Sequence, residues 1–362
     1  MTATVKIAII GGGLIAPRHA AAVHAHPAAE LVALVEPSPK GPETAAQFNT
    51  RLYASVSELL AASNTAVKPD AAIVCTPNHT HVSISRDLLA AGVHVLVEKP
   101  LSHTTDTARD LVQYTRENAN VKLAVGHHRR FNPYMLKAKE IVSSGSLGSV
   151  MAVNGMWTLF KPDDYFAPPT DWRRLKDAGG VVLINLVHDV DLLQFLFGAI
   201  ERVHVEKIAR QRGDHHQADE GAALTLRFAS GVVGSFLVCD ATPSPYNFES
   251  GTGENVNIPA APSNENFYHI FGSNASLSVP EMARWSYDGR PAKSWNQPLT
   301  VDKFDVDSSA VPYDGQLAAF LDYIAGKESS SCSAVEGLRA LLVCDAVRKA
   351  LDRNLTVDVE PA

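Results

Sequence analysis

The stretch VKIAIIGGGLIA at residues 5–16 decides the fold of the first part of the chain. Its first half is a continuous apolar run typical of a buried strand, and the glycines that follow open a helical pattern over residues 17–26. Gly11 allows the tight turn, Gly13 lets the backbone approach a pyrophosphate, and the small Ala16 lets helix and strand pack closely. A strand, a glycine turn and a helix in this order predict a dinucleotide site.

The identity of the dinucleotide depends on residues near the turn. Glu36 ends the second predicted strand, where an acidic side chain accepts hydrogen bonds from the adenosine ribose and repels a 2′-phosphate. NAD is therefore favoured, whereas Lys40 nearby leaves NADP open. Leu14 and Ile15 are expected to lie beside the cofactor. The alternative is that the glycines serve only a turn and Glu36 only an exposed strand end.

Strands and helices alternate through the first third of the chain. Continuous apolar strands separated by helices are what a parallel sheet covered on both faces requires. We therefore predict an α/β fold with a doubly wound, parallel-sheet Rossmann domain over residues 1–128. The predicted strands cover residues 5–10, 30–35, 71–75, 93–97 and 123–125, and the predicted helices cover residues 17–26, 56–62, 84–91 and 105–118.

The pattern changes after about residue 148, where longer and partly alternating strands appear. They predict a second, α+β domain over residues 129–362, with a large, mostly antiparallel sheet that helices cover on one face. An uncovered sheet face is a common surface for self-association, so a homodimer or homotetramer is expected. The predicted strands cover residues 150–159, 203–210, 222–228, 232–239, 267–272 and 275–279, and the predicted helices cover residues 183–197, 316–325 and 335–353.

Composition narrows the class of protein. The chain has 362 residues, which exceeds one typical domain, and its 46 % hydrophobic and 20 % charged residues are ordinary for a globular protein. The sequence contains no run of about 18 apolar residues, so it predicts no membrane span. The N-terminus lacks the layout of a signal peptide. We expect a cytoplasmic enzyme without a membrane partner. The net charge is −7 and basic residues do not cluster, which gives no support to a nucleic-acid partner.

The sequence offers no pattern of metal ligands. The four cysteines are scattered without CxxC spacing, which argues against a zinc site and against a disulfide framework, and we interpret them as buried small hydrophobes. Asp214, His215 and His216 form a short polar cluster without further ligands at metal spacing. We interpret this cluster as a solvated turn and predict no metal.

Two further motifs close strands of the first domain. The stretch TPNHTH at residues 76–81 is by itself an ordinary helix-capping turn, but it follows a sheet strand at the edge where dinucleotides bind. The stretch EKP at residues 98–100 ends the next strand, where a lysine projects into the ligand crevice. The alternative for that lysine is a solvated strand end that pairs with the preceding glutamate. The residues expected at the cofactor here are Thr76, Pro77, Asn78, His81, Glu98 and Lys99.

Five motifs in order resemble the Gfo/Idh/MocA oxidoreductase family. They are GGGLIA at 11–16, TPN at 76–78 with His81, EKP at 98–100, GHHRRFNP at 126–133 and AGGVVLINLVHDVD at 178–191. The agreement extends over nearly the whole chain. The resemblance implies an NAD(P)-dependent dehydrogenase or reductase, which transfers a hydride between the nicotinamide cofactor and a hydroxyl or carbonyl carbon of a sugar, polyol or sugar-derived acid.

The resemblance also implies the catalytic residues. Lys99 takes the place of the family lysine that touches the reacting hydroxyl and the nicotinamide ribose, and His188 takes the place of the catalytic histidine. Many members carry an aspartate four residues before that histidine, but Ile184 stands at this position here. Asn185 is the polar residue expected to reach the substrate instead.

The oxidation of an alcohol requires residue types such as histidine and lysine. Oxidation of an alcohol removes a hydride from carbon and a proton from oxygen, so one group must accept the proton. Histidine titrates near neutrality, which suits His188 as general base, and Lys99 can stabilise developing alkoxide charge. The alternative for His188 is a buried histidine bonded to Asp189 or Asp191.

Several further residues are expected around the substrate and the nicotinamide. Arg129 lies where family members contact substrate, with a surface ion pair as the alternative. The long stretch at residues 242–266 is expected to be a loop that forms a lid or pocket wall. Trp172 and Arg173 resemble a family pair near the nicotinamide, with a core tryptophan as the alternative. The remaining candidates are Lys161, Tyr246 and Glu249 for substrate and His128 for the cofactor.

Three functions fit these motifs. The dehydrogenase is favoured because Lys99 and His188 accompany a complete nucleotide site. A second candidate is an NAD-dependent glycoside hydrolase, which would use transient oxidation without net redox change. The third, a non-catalytic NAD-sensing regulator, would not need either residue.

Overall fold

The computed structural model describes residues 4–62, 68–176, 178–261, 265–353 and 355–362. The chain forms two compact units. The first comprises Met1–Phe131, Ala310–Leu341 and Ala362, and the second comprises Asn132–Ser309 and Leu342–Pro361. In the described parts of the chain, every helix is too short or too polar to span a membrane.

The strands and helices are numbered in chain order. The strands are β1 Val5–Ile10, β2 Ala29–Val35, β3 Arg51–Tyr53, β4 Ala71–Val74, β5 His94–Glu98, β6 Leu123–Gly126, β7 Val150–Thr158, β8 Ile200–Lys207, β9 Gly221–Phe228, β10 Val233–Cys239, β11 Tyr268–Gly272, β12 Ala275–Val279, β13 Ala283–Ser286, β14 Thr300–Lys303, β15 Cys332–Ser333 and β16 Thr356–Asp358. The α-helices are α1 Ala16–Ala25, α2 Gly41–Gln47, α3 Val56–Ala62, α4 His81–Ala90, α5 Thr105–Glu117, α6 Pro133–Ser143, α7 Val187–Phe197, α8 Phe248–Thr252, α9 Pro312–Ile324 and α10 Ala334–Arg353. A π-helix covers Val182–Leu186 and leads directly into α7.

The first unit is built on a seven-stranded sheet in the order β15-β6-β5-β4-β1-β2-β3. Strands β1 to β6 are parallel, and β15 joins β6 antiparallel at one edge. The chain runs outward from β1 to β3 and then returns to the other side of β1 at β4. Strand order therefore reverses between β1 and β4, and ligands of doubly wound folds bind outside the carboxyl ends at this switch point. The predicted Rossmann domain is confirmed.

Helix α9 belongs to the first unit, although the predicted boundary at residue 128 placed it in the second. Its apolar side chains Leu317 and Phe320 are 2 % and 0 % exposed and share a core cluster with Ile7, Ile9 and Ile73 of the parallel sheet. The helical periodicity of α9 shows that one face is buried, but not which sheet buries it. Strand β15 returns to the same unit.

The second unit is built on a nine-stranded sheet in the order β14-β13-β12-β11-β7-β10-β9-β8-β16. Its neighbouring strands are antiparallel except for the pair β7 and β10. Buried and exposed residues alternate along β8, β9 and β10, as expected for a sheet with one face packed and one face open. The predicted α+β architecture with a mostly antiparallel sheet is confirmed.

Some local predictions differ from the structure. The expected uninterrupted loop at residues 242–266 is wrong where α8 forms, because Asn247 caps that helix by accepting a hydrogen bond from the Ser250 amide at 2.8 Å. Residues 262–264 of that stretch lie outside the described residues. The predicted helix at residues 183–197 is divided between the π-helix and α7. The short elements α2, β3, β13, β14, β15 and β16 were not predicted, and neither was the 11-residue helix α6.

Candidate active site

The glycine turn leaves β1 at the switch point of the first sheet. Gly11 has a φ of +95°, and a Cβ at this position would lie 2.9 Å from the carbonyl oxygen of Cys75. Glycine is therefore required by both conformation and space. A Cβ on Gly13 would meet no atom within 4 Å, so the backbone is accessible at this point of the turn. Helix α1 begins at Ala16, whose full burial allows close packing on the sheet.

Glu36 fixes the turn from the end of β2. Its Oε2 accepts a hydrogen bond from the amide of Gly12 at 2.7 Å, and its Oε1 accepts one from the amide of Ser38 at 2.8 Å. Burial acts to raise the pKa of Glu36, but these backbone hydrogen bonds outweigh it and lower the pKa. Leu14 is 92 % exposed, and Ile15 occupies the position directly before α1. The turn and the held carboxylate fit the pyrophosphate and ribose of NAD.

His81 joins the two later loops of the first unit. Its ring is 1 % exposed, with Nδ1 at 2.8 Å from the carbonyl oxygen of Pro100 and Nε2 at 2.8 Å from that of Thr76. Burial lowers the pKa of His81, and the two carbonyl hydrogen bonds act in the opposite direction. Because carbonyl oxygens only accept, both contacts are hydrogen bonds only when the ring is protonated. Pro77 and Asn78 stand exposed in the loop that Thr76 begins.

Glu98 is buried at the end of β5. It is 8 % exposed, and its Oε1 lies 2.8 Å from Nε2 of His19 in α1. Burial acts to raise the pKa of Glu98, but the hydrogen bond and the charge of His19 outweigh it. The charges of His128 and Lys99 act in the same direction as His19, and the pKa falls to about 2. Lys99 follows directly and is half-buried, and its backbone amide donates to Oε2 of Glu98 at 3.2 Å.

An aromatic stack supports this corner of the first unit. The ring of His128 stacks on that of Tyr313 with centroids 4.5 Å apart, and His19 meets Tyr313 edge-on at 5.1 Å. Arg129 is 6 % exposed, so the alternative of a surface ion pair is wrong for it. The neighbouring Arg130 donates instead to Oε1 of Glu336 at 2.9 Å. Because Tyr313 lies in α9, its role could not be inferred from residues adjacent in sequence.

In the second unit, His188 lies in the first turn of α7. It is 6 % exposed, and the following Asp189 is fully buried and accepts a hydrogen bond from the hydroxyl of Tyr268 at 2.5 Å. The start of the preceding π-helix is held by Asp219, whose Oδ2 accepts from the amide of Val182 at 2.8 Å. π-Helical turns occur often at functional sites. Sequence reasoning missed both Tyr268 and Asp219.

Asn185 stands in the π-helix, where Oδ1 accepts a hydrogen bond from Nζ of Lys161 at 2.6 Å. Lys161 is 5 % exposed and forms a salt bridge with the buried Asp240, Nζ to Oδ2, at 3.1 Å. Arg212 pairs with the other oxygen of Asp240 at 2.5 Å. Two predicted substrate residues, Asn185 and Lys161, therefore contact each other directly. An acidic residue directly after β10 was the available signal for Asp240.

The other expected substrate residues are placed differently. Glu249 is 5 % exposed, and its Oε2 accepts a hydrogen bond from Nε1 of Trp157 at 2.8 Å, so its carboxylate is held inside the second unit. Tyr246 is 40 % exposed and contributes its backbone carbonyl to the amide of Thr158 at 2.9 Å. The structure therefore gives Glu249 a partner within the fold and leaves the Tyr246 ring accessible.

Trp172 and Arg173 lie in a short 3-10 helix of the second unit. Trp172 is 40 % exposed, which excludes the alternative of a core tryptophan. The guanidinium of Arg173 lies 4.0 Å from the ring centroid of Tyr165 and donates to the carbonyl oxygen of Tyr165 at 3.1 Å. The interpretation of His216 as part of a solvated turn is wrong, because His216 is 1 % exposed and packs edge-on against Phe166 with centroids 4.8 Å apart.

Comparisons with known proteins agree with this arrangement. Residues 5–127 match the model of the oxidoreductase family with NAD-binding Rossmann fold, and residues 139–359 match the C-terminal alpha/beta domain of the same family. Inositol 2-dehydrogenase of Rhizobium meliloti is 23 % identical over 363 residues, covering 98 % of this chain and 99 % of that protein.

Two solved structures share the fold. Levoglucosan dehydrogenase in complex with NADH superposes with a TM-score of 0.79 at 19 % identity and covers 99 % of this chain and 100 % of its own. The WlbA dehydrogenase of Bordetella pertussis in complex with NADH and UDP-GlcNAcA gives 0.76 at 20 % identity, over 100 % and 99 % of the two chains. The family models cover both units, and the chain, with an NAD-binding Rossmann domain, is a member of the Gfo/Idh/MocA oxidoreductase family.

Proposed function

We propose that this chain oxidises a hydroxyl carbon, or reduces the corresponding carbonyl, of a sugar, polyol or sugar-derived acid. The observation that carries the proposal is that Lys99 directly follows β5, next to the buried Glu98 that His19 holds at 2.8 Å. Strand β5 belongs to the same sheet as β1, which leads into the glycine turn. A lysine at that edge lies where ligands of doubly wound folds bind.

Lys99 and His188 are the proposed catalytic residues. NAD, when bound, supplies the oxidant that takes up the hydride from carbon. His188 accepts the hydroxyl proton as general base, while the ammonium of Lys99 donates a hydrogen bond to the same oxygen and stabilises its developing negative charge. In the direction of reduction, the proton returns from His188 to the oxygen.

NAD is proposed as the cofactor in preference to NADP. The support is the carboxylate of Glu36, which both Gly12 and Ser38 hold at the end of β2. Its negative charge would repel the 2′-phosphate of NADP, whereas ribose hydroxyls can donate to it. Thr76, Pro77, Asn78 and His128 are proposed to complete the cofactor site.

Arg129 and Asn185 are proposed to contact the substrate, Lys161 to act on it through Asn185, and Trp172 and Arg173 to lie near the nicotinamide. Tyr246 is also proposed to contact the substrate, because its side chain is accessible. Glu249 is proposed to act on the substrate only through its neighbours, because Trp157 already donates to its carboxylate.

The chain is also proposed to be a cytoplasmic homodimer or homotetramer with no membrane or nucleic-acid partner. The support for self-association is the open face of the second sheet, which exposes large apolar side chains from five strands. They are Met151, Leu237, Phe271, Trp285 and Val301, which are 38–55 % exposed.

A single assay tests the proposed reaction. The purified chain is incubated with NAD or NADP and a panel of sugars, polyols and sugar acids, and the absorbance at 340 nm is followed. NADH formed in proportion to the oxidised product supports the dehydrogenase. Release of a sugar product without accumulated NADH would indicate the glycoside hydrolase, and NAD binding without turnover of any compound would indicate the regulator.

A further inference from the structure

The contact between Lys161 and Asn185 determines which end of the Asn185 carboxamide faces outward. An ammonium group has only hydrogen-bond donors, so the atom that it holds at 2.6 Å must be the amide oxygen. The amide nitrogen Nδ2 then points the other way with two donors. Within the described part of the chain, no residue accepts a hydrogen bond from Nδ2 of Asn185.

Lys161 is itself fixed in place. Its side chain is 5 % exposed, and Nζ forms the salt bridge with Asp240, whose other oxygen is bound by Arg212. The ammonium also lies 4.8 Å from the ring centroid of Tyr165 and 5.4 Å from that of Trp157. Burial lowers the pKa of Lys161, and the carboxylate of Asp240 acts in the opposite direction and favours the charged form. Asp240, Tyr165 and Trp157 hold the Lys161 ammonium in place. The Asn185 amide can therefore meet this donor only with its oxygen.

The position of Asn185 makes this orientation matter. It precedes His188 by three residues across the junction of the π-helix and α7, so less than one helical turn separates the two residues along the chain. Asn185 is half-buried, whereas the catalytic candidate His188 is 6 % exposed. A half-buried amide with two donors that the described residues do not use therefore lies within one helical turn of the proposed base.

We propose that Lys161 is a positioning residue that presents the Nδ2 donors of Asn185 to the substrate, so that this chain selects a sugar acid through its carboxylate. The inference rests on the proposed function and narrows its substrate class. A carboxylate only accepts hydrogen bonds and matches two amide donors. If an aspartate stood at this place, its carboxylate would repel that of the substrate and favour a neutral hydroxyl, which can donate.

The test compares matched pairs of compounds with NAD: uronates with their parent aldoses, and aldonates with their alditols. We expect kcat/KM of the wild-type chain to favour the acid at least tenfold in one or more pairs. Lys161→Met keeps the length of the stem but loses the donor, so the amide can turn and the preference for the acid should fall at least tenfold. Lys161→Arg, which still donates, should restore most of it.

Asn185→Asp supplies an independent variant, because Lys161 can still pair with one carboxylate oxygen. The preference for the acid should fall at least 100-fold, with the change mainly in KM. Lys303→Met is the control, because Lys303 pairs with Glu281 at 2.8 Å on the surface of the same unit. That variant should leave the ratio within twofold.

Calorimetry can measure how the same acid and neutral compounds bind to the chain in complex with NADH. This measurement separates the proposed function from the proposed selection of acids by Asn185. Selective binding of an acid without turnover of any compound would refute the proposed function and support the orientation of Asn185. Three results would overturn the inference. They are tighter binding of the neutral member, binding of neither member in any pair, and an unchanged acid-to-neutral ratio of kcat/KM in folded Lys161→Met and Asn185→Asp.

Discussion

Oε1 of Glu98 lies 2.8 Å from Nε2 of His19, and the two side chains are 8 % and 2 % exposed. The pair joins the carboxyl end of β5 to helix α1 directly behind the glycine turn. It therefore connects the strand that leads to Lys99 with the element that is proposed to hold the pyrophosphate. Neither side chain needs to touch a ligand for the pair to order this edge of the sheet.

The first prediction concerns Glu98→Gln and pH. Because the folded-state pKa of about 2 lies below the ordinary value of 4.5, the carboxylate stabilises the fold fully above pH 4.5, and this contribution is lost as the pH falls towards 2. The difference corresponds to about 3 kcal/mol at pH 7. Urea denaturation should show Glu98→Gln less stable than wild type at pH 7, with the gap smaller by about 1 kcal/mol at pH 3.5.

Glu30→Gln is the control for this measurement, because Glu30 is exposed on β2 in the same unit. Its stability should follow that of wild type at both pH values within about 0.5 kcal/mol. A gap between Glu98→Gln and wild type that is equal at pH 7 and pH 3.5 would contradict the assignment of a stabilising charge to Glu98.

The second prediction concerns His81→Leu. This substitution removes the ring that lies between the carbonyl oxygens of Thr76 and Pro100, and with it the hydrogen bond that the ring donates. We expect a loss of about 1–3 kcal/mol in the free energy of unfolding. NAD affinity, measured by titration of protein fluorescence, should fall about tenfold, since both loops flank the proposed cofactor site.

His103→Leu is a matched control, because His103 is exposed in the same unit. It should keep both the stability and the NAD affinity of wild type. If His81→Leu bound NAD as wild type does, the loops would not depend on this histidine for their position.

The glycine turn and Glu36 were predictable because helix α1 and strand β2 lie between Gly11 and Glu36, and the spacing of a βαβ unit fixes where they meet. His19 and Glu98 lie 79 residues apart in sequence, and Lys161 and Asp240 are likewise distant, so these pairs exist only once the sheets have assembled. The same reasoning applies to α9. Its period predicts a helix, but its assignment to the first core depends on which sheet it meets.

The burial of Glu249 shows a second reason why part of the site could not be predicted from the sequence. A carboxylate in a polar stretch is expected to be solvated or to meet a ligand, and its sequence neighbours do not reveal a buried indole donor. Trp157 lies 92 residues away in sequence and donates to Glu249 only because β7 passes beside α8. Motifs at strand ends were informative because all carboxyl ends of a parallel sheet lie on one edge, whereas antiparallel strands give no such common edge.

The third prediction concerns Glu36→Gln and the choice of cofactor. Glutamine retains an oxygen for the amide of Gly12 but loses the negative charge that would repel a 2′-phosphate. The ratio of kcat/KM with NAD to that with NADP should fall at least tenfold. Glu43→Gln, an exposed glutamate of α2, should leave the ratio unchanged. An unaltered ratio in Glu36→Gln would show that this carboxylate does not face the ribose.

The last prediction concerns the two proposed catalytic residues. Lys99→Ala removes the hydrogen bond to the reacting oxygen, and His188→Ala removes the base, so turnover should fall at least 100-fold in each variant. NAD binding should stay within threefold of wild type in His188→Ala, because His188 is not proposed to hold the cofactor. In the His188→Ala variant, raising the pH should restore part of the rate, since hydroxide can replace the missing base, whereas a structural defect would not respond in this way. Near-normal turnover in both variants, measured at 340 nm with saturating NAD, would refute the catalytic assignment.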